Sequence, residues 1–528
     1  MNGGMIKFIL GNVLKVESVL LLFPLIVAVF YRESAGYWFL CTAVLSFVIG
    51  YMLSRKKPHN TVFYLKEGCV TTAMSWIVIS LVGCLPFYLS GEIPSFTDAL
   101  FETISGFTTT GASILSDVEC LSQSILFWRS FSHWIGGMGV LVFLLAIIPL
   151  SGGSHMNLMR AESPGPSVGK LVPKVRATAR ILYLIYFGMT IVELIFLLIG
   201  RMPFLESLMI AFGTAGTGGF GVRNSSIGGY SAYIQWVVAI FMILFGVNFN
   251  AYYFILLKRF KQAFDMEEVK GYFLIIAAAS ALIFVNIYDR TMTAADTLRH
   301  VVFQVGSLMT STGYSTVDFD LWPSTSKVVL IIIMFIGACA GSTGGGIKVS
   351  RVIMMLKSVK RELNAYLHPK SVRTIKMEGK ALDQGAISSV AVYFITFTLI
   401  FAASFLLVSL EGRDLTTNFT AVLTTLNNMG PGLADVGPSR NFGGLSTLSK
   451  YVLMFDMLAG RLELFPMLVL FHPVLWKETW AGGKRRRRRA NVQNRSSCRI
   501  KRIIGSVKKE YLTDIGKAVG HNERTITA

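Results

Sequence analysis

The chain has 528 residues, of which 53% are hydrophobic and only 15% charged, and its mean hydropathy is +0.56. That composition excludes a soluble globular chain. The formal charge of +20 reflects topology far more than nucleic-acid binding: residues 481–528 carry fourteen Lys/Arg against three Asp/Glu, so +11 sits in a tail that no folded reader module accompanies, and +9 in everything before it.

Apolar runs of about 20 residues, enough to cross a roughly 30 Å hydrocarbon core, recur along the chain. Two come first, near 13–31 and 36–54. Eight follow, near 68–90, 125–150, 178–200, 231–257, 271–288, 327–357, 386–410 and 447–476, giving about ten expected spans. The first is expected to remain as a span, because it lacks a small-residue cleavage site and a second apolar run follows at once. Basic residues gather in alternate loops: Arg55, Lys56 and Lys57; Arg160, Lys170, Lys174, Arg176 and Arg180; Lys258, Arg259 and Lys261; then Lys357, Lys360, Arg361, Lys370, Arg373, Lys376 and Lys380. The intervening loops are acidic or neutral, with Glu33, Glu92, Asp98, Asp117, Glu119, Asp289, Asp318, Asp320, Glu411 and Asp414. The positive-inside rule then expects both termini in the cytoplasm.

After the first two spans one unit repeats four times: a span, a short apolar segment, a glycine-centred loop and another span. The loops read Thr108-Thr109-Thr110-Gly111-Ala112, Thr217-Gly218-Gly219-Phe220, Thr310-Ser311-Thr312-Gly313-Tyr314 and Asn427-Asn428-Met429-Gly430-Pro431. Glycines 111, 219, 313 and 430 are separated by 108, 94 and 117 residues, a spacing that suits a two-span module. The segments before the loops are too short to cross a bilayer, and Ser95–Thr108 and Thr293–Thr310 open with the Ser, Thr and Asp that start helices. They are expected to be re-entrant half-helices facing outward. A cation leaving water needs its hydration shell replaced, and backbone carbonyls can do this without permanent charge. Glycine lets consecutive carbonyls turn one way, and a helix ending at the loop adds the negative end of its dipole. Irregular backbone at membrane depth is tolerable only where it lines water or is buried in protein.

These residues resemble the Trk/Ktr/HKT superfamily of potassium transporters, and most of all its bacterial TrkH branch. The resemblance covers about residues 1–478 and rests on the four loops, on Ala340-Gly341-Ser342-Thr343-Gly344-Gly345-Gly346-Ile347-Lys348 and on Gly460-Arg461-Leu462-Glu463. It implies an all-α multi-pass membrane protein: four pseudo-symmetric span, half-helix, span repeats around one pore, with two extra N-terminal spans. The expected parts are accessory spans at 1–60, repeats at 61–160, 161–262, 263–365 and 366–480, and a basic cytoplasmic tail at 481–528. The implied function is K⁺ uptake across a bacterial inner membrane, without enzymatic chemistry. The implied filter residues are Thr109, Thr110, Gly111, Gly218, Gly219, Thr312, Gly313, Asn428, Met429 and Gly430. In the second loop Gly218 and Gly219 compete, and Gly219 is preferred because an aromatic follows it, as Tyr314 follows Gly313. The resemblance further implies a homodimer, K⁺ as the transported ion held by backbone carbonyls, and a cytoplasmic TrkA-type nucleotide-binding subunit that controls the gate. No organic cofactor and no nucleic-acid partner are expected for this chain; contact with membrane lipids is.

The run at 327–357 is interrupted by Gly341, Ser342, Thr343, Gly344, Gly345 and Gly346. A phosphate-binding loop does not fit, because Ile347 rather than Lys-Ser/Thr follows Gly346. The resemblance makes this a gating loop below the filter. Lys348 is either an electrostatic barrier or a snorkelling side chain. Arg461 lies in the last apolar run and either faces the pore or pairs with Glu463 or Asp456. Glu102 and Asp98 either draw cations to the mouth or serve the helix start. His133 is a lone histidine before Gly136-Gly137-Met138-Gly139, whose spacing suits close helix packing. Cysteines 41, 69, 84, 120, 339 and 498 show neither a disulfide framework nor zinc spacing. A membrane-embedded enzyme would need a convergent acid, base or metal cluster, which the His, Cys and carboxylate positions do not supply. A Na⁺-permeable member of the same superfamily is the nearer rival, since filter geometry as well as residue identity sets selectivity.

Overall fold

A computed structural model describes residues 1–56, 58, 64–139, 175–288, 293–370 and 373–475, with backbone alone over 175–179. The tail at 481–528, the basic loop through Lys174 and the expected span beyond Gly139 lie outside the described residues. Two compact units are distinguished: Asn2–Val469, and Met1 with Leu470–Ala528. Within the second, Leu475 N–H donates to the His472 carbonyl at 3.1 Å, closing one helical turn. The larger unit carries the fold.

The described chain is mostly helical. Its one sheet among the described residues is an antiparallel hairpin, Lys376–Met377 with Lys380–Ala381. Among the described residues, six helical segments are long and apolar enough to cross a membrane: Gly3–Tyr31, Ala35–Ser54, Leu65–Leu89, Arg180–Ile199, Glu267–Ile287 and Gln384–Ser409. Their outer faces carry bare large apolar side chains, Leu274, Val285 and Leu399 among them, which water would disfavour and lipid tails would not. The two N-terminal segments meet where Gly11 and Gly50 oppose. A Cβ on either would lie 2.7 Å from the other's carbonyl oxygen, so small residues are required for this approach.

Four short helices, Phe96–Phe107, Phe204–Gly216, Ala294–Met309 and Leu415–Leu426, precede the four glycine loops. Ser95, Thr293 and Asp414 cap three of them by accepting from the backbone N–H three residues on, which satisfies donors the helix cannot. The second starts after Pro203 without such a cap. After each loop comes a helix of 13 to 15 residues: Gln123–Gly137, Ala232–Phe245, Ser324–Ile336 and Thr447–Arg461. At 1.5 Å per residue these rise only about 20 Å, short of the hydrocarbon thickness.

Here the structure departs from two spans expected to be unbroken, 231–257 and 447–476, and shows the interruption read from the sequence in 327–357. The run 231–257 bends by 92° between Phe245 and Phe249. The run 327–357 loses its helix from Gly337 to Lys348 and resumes as Val349–Leu367. The run 447–476 breaks after Arg461, with Glu463 and Leu464 both at positive φ. Apolar composition signals membrane depth but not continuity. The breaks are made by local hydrogen bonds, such as Asn248 accepting from Asn250 N–H at 2.9 Å.

The packing of these helices is cyclic. Phe96–Phe107 packs on Gln123–Gly137 and on Thr447–Arg461; Phe204–Gly216 packs on Ala232–Phe245 and on Gln123–Gly137. Ala294–Met309 packs on Ser324–Ile336 and Ala232–Phe245, and Leu415–Leu426 on Thr447–Arg461 and Ser324–Ile336. Every short helix thus sits between the following helix of its own unit and that of the unit before it.

Candidate functional site

The four loops share one backbone course. A left-handed non-glycine residue is followed two places later by a left-handed glycine: Thr109 and Gly111 (φ 54° and 78°), Thr217 and Gly219 (54° and 79°), Ser311 and Gly313 (57° and 88°), Asn428 and Gly430 (54° and 83°). The residue between them always donates its N–H to the carbonyl five back: Thr110 to Ser105, Gly218 to Gly213, Thr312 to Ser307 and Met429 to Thr424, all at 2.8–2.9 Å. Four dissimilar sequences therefore make the same turn. Left-handed backbone is unfavourable for a side-chain-bearing residue, so the positions preceding the glycines are held by their surroundings.

The loops also meet in a ring. A Cβ on Gly111 would strike the Gly218 carbonyl oxygen, and one on Gly219 that of Thr312. On Gly313 it would come 2.5 Å from the Met429 oxygen, and on Gly430 2.8 Å from that of Thr110. Each glycine thus faces the carbonyl of the residue before the next loop's glycine, and the fourth loop returns to the first. Of the two glycines that compete in the second loop, Gly219 has the positive φ. Gly218 is needed for another reason: a side chain there would run into the His133 ring.

Behind the ring the loops are anchored by buried polar contacts. Glu102 and Arg129, 0% and 2% exposed, form an ion pair at 2.7 Å. Glu102 also accepts from Ser113 Oγ at 2.9 Å and Ile114 N–H at 3.0 Å, beyond the first loop. Arg129 donates to the Gly221 carbonyl of the second loop at 3.3 Å and lies 4.1 Å over the Phe220 ring. His133 joins the first short helix to the second loop, Nδ1 against the Gly106 carbonyl at 2.8 Å and Nε2 accepting from Phe220 N–H at 3.3 Å. The fourth loop is tied to the first by Asn428 Nδ2, which donates to Thr110 Oγ1 at 3.0 Å and to the Met457 carbonyl at 2.8 Å. Asp98 is held by Lys450 at 2.5 Å.

The Gly-rich segment lies directly against the third and fourth loops. Gly345 N–H donates to Ser311 Oγ at 2.5 Å, and Gly346 N–H to the Asn427 carbonyl at 3.0 Å. A Cβ on Gly344 would sit 2.7 Å from the Thr310 carbonyl. Lys348, at φ 85°, is buried and donates to the carbonyls of Gly344 and Gly345, so its ammonium stays inside the segment rather than snorkelling. Arg461 donates to the Thr343 carbonyl at 3.0 Å and to those of Gly136 and Gly137. The two carboxylates weighed as its partners have other donors: Ser404 on Asp456 at 2.7 Å, and Arg351 on Glu463.

The structure brings together the backbones of Thr109, Thr110, Gly111, Gly218, Gly219, Thr312, Gly313, Asn428, Met429 and Gly430, and sets Gly341–Lys348 and Arg461 on one side of them. Glu102, weighed as a mouth charge or a helix-start residue, is a buried anchor. Arg129 was not singled out by sequence, although an isolated arginine inside an apolar run is a signal of function or pairing. The arrangement sets backbone carbonyl oxygens of all four loops in one ring.

The family described as TrkH, cation transport protein, matches residues 38–478. The "Trk system potassium uptake protein TrkH" of Salmonella typhimurium is 36% identical over 483 residues, covering 89% of this chain and 98% of that protein. The "Trk system potassium uptake protein TrkG" of Escherichia coli is 31% identical over 477 residues, covering 88% and 97%. The crystal structure of the potassium transporter TrkH from Vibrio parahaemolyticus superimposes with a TM-score of 0.81 at 32% identity, covering 90% of this chain and all of that one. With most of its length matched in sequence and in fold, the chain belongs to the TrkH family of cation transport proteins.

Proposed function

We propose that this chain takes up K⁺ across a bacterial inner membrane through a filter made by the four loops, and that the Gly341–Lys348 segment is its gate. The observation that carries the reading is the ring of four left-handed glycines, each against the carbonyl preceding the next. Oxygens fixed by a shared turn can replace a hydration shell without reorganising. Four short helices end at the ring and aim the negative ends of their dipoles toward it. Glycine at all four positions favours K⁺ over Na⁺ within this superfamily, and the names of the relatives agree. The corresponding organisation is two accessory spans at 1–60, repeats at 61–160, 161–262, 263–365 and 366–480, and a cytoplasmic tail at 481–528, with both termini inside. The protein works as a homodimer with one pore per subunit, under a TrkA-type nucleotide-binding subunit that docks on the basic loops. K⁺ is its cargo, and no organic cofactor takes part.

The test is K⁺ against Na⁺ uptake into liposomes holding the purified chain, then with the regulatory subunit added. Preferential K⁺ uptake in either condition supports the reading; equal K⁺ and Na⁺ flux would remove the selectivity claim, and no flux in both would remove transport. Arg461→Gln should raise partner-free K⁺ uptake by about tenfold, because it removes charge-assisted bonds of about 1.5–3 kcal/mol that hold the gate segment and lifts a positive charge from beside it. The K⁺/Na⁺ ratio should not change. A fall in uptake would count against a gate held by Arg461.

A further inference from the structure

We infer that Glu268 is the positioning residue that clamps both ends of the Gly-rich segment in its closed arrangement. The inference rests on the gate reading above. Glu268 is the second residue of the helix Glu267–Ile287 and is 4% exposed. One carboxylate oxygen accepts from Ala340 N–H at 2.6 Å, where the segment begins, and from Ser350 N–H at 3.2 Å, just past its end. The other oxygen accepts from Asn248 Nδ2 at 3.1 Å, at the bend between Phe245 and Phe249. Asn248 in turn stands beside the segment: Phe249 N–H donates to the Gly341 carbonyl at 3.0 Å, and Cys339 N–H to the Gly246 carbonyl at 3.1 Å.

The chemistry explains the choice of residue. Ser350 lies in the first turn of Val349–Leu367, where backbone N–H groups lack helical partners and the dipole favours an anion. Ala340 N–H is a second donor in need of an acceptor, and a carboxylate supplies four acceptor sites from one side chain. Both ends of the segment thus converge on one group, and the segment cannot swing aside while both are held. The clamp also has a route to the cytoplasm. Glu378, at the tip of the hairpin formed by Lys376–Met377 and Lys380–Ala381, accepts from Glu267 N–H at 2.9 Å. Lys357 pairs with Glu267 and donates to the Lys376 carbonyl at 2.8 Å. A displacement of this hairpin acts on the helix end that carries Glu268.

The experiment measures partner-free K⁺ uptake and the K⁺/Na⁺ ratio in liposomes for the full-length wild type, Glu268→Gln, the Glu268→Gln/Asn248→Asp pair and a deletion of residues 343–345. The Gln side chain is isosteric, and monodisperse elution checks folding. It puts an NH₂ group opposite the Asn248 NH₂ and removes the charge; the paired variant restores an acceptor there. Glu268→Gln should raise uptake by about five- to tenfold, as expected for loss of one or two charged hydrogen bonds, with the ion ratio unchanged. The pair should return most of the way to wild type. A rise with the deletion but none with Glu268→Gln would overturn the clamp and leave the gate standing. A rise with Glu268→Gln that the pair does not reverse would overturn it as well. No rise in any variant would remove the gate, and the clamp with it.

Discussion

Gly313→Asp should abolish K⁺ uptake, or its preference over Na⁺, while leaving expression and monodisperse elution intact. Gly313 sits at φ +88°, where an L-residue is strained by about 1–2 kcal/mol before any contact is considered. A Cβ would lie 2.5 Å from the Met429 carbonyl oxygen and 2.9 Å from Pro431 Cδ, both on the neighbouring loop. Met429 N–H is bonded to the Thr424 carbonyl at 2.9 Å, so that oxygen cannot yield without dragging its turn. The aspartate would also put a fixed charge where the proposed filter has only dipoles, and would bind a cation too tightly to release it. The measurement is paired K⁺ and Na⁺ uptake into liposomes. Unchanged flux and ratio would sink the assignment of Gly313 to a filter.

Glu102→Ala should be the most destabilising single change behind the ring. It leaves Arg129 with an uncompensated charge in a site 2% exposed, a situation that costs about 3–5 kcal/mol. It also orphans Ser113 Oγ and Ile114 N–H. Thermal aggregation followed by size-exclusion chromatography should show a clear fall in midpoint. The double variant Glu102→Met/Arg129→Met should lie much nearer the wild type, since apolar side chains of similar volume can replace a buried pair at little cost. Equal midpoints for wild type and Glu102→Ala would show that the pair does not hold the loops.

Sequence made parts of this arrangement legible and hid others for definite reasons. The helix starts at Ser95 and Thr293 were readable because capping is local, three residues long and chemically distinctive. Glycines 111, 219, 313 and 430 were readable because only glycine takes their backbone angles without strain. The left-handed turns at Thr109, Thr217, Ser311 and Asn428 were not, since no property of Thr, Ser or Asn in isolation demands them. Arg129 and Glu102 are 27 residues apart, and their pairing depends on how two helices pack. The bend at Gly246–Asn248 left the apolar run intact on paper, because hydropathy counts composition and not hydrogen bonds. Glu268 escaped for the same reason: its partners, Ala340 and Ser350, are 72 and 82 residues away.

The cyclic packing of the short helices has a consequence for biosynthesis. A linear polypeptide that forms a ring must have one seam where its beginning meets its end. Here the seam joins residues made near the start of translation to residues made close to its finish. Asn428 reaches Thr110 across 318 residues, Lys450 reaches Asp98 across 352, and Arg461 reaches Gly137 across 324. Phe442 N–H adds a backbone link across the seam, to the Ser113 carbonyl at 2.8 Å. A nascent chain released before Asn428 has three loops in place and no closed ring. Its exposed edge, with Asp98 and Thr110 lacking these late partners, is what membrane quality control would meet in a truncated product.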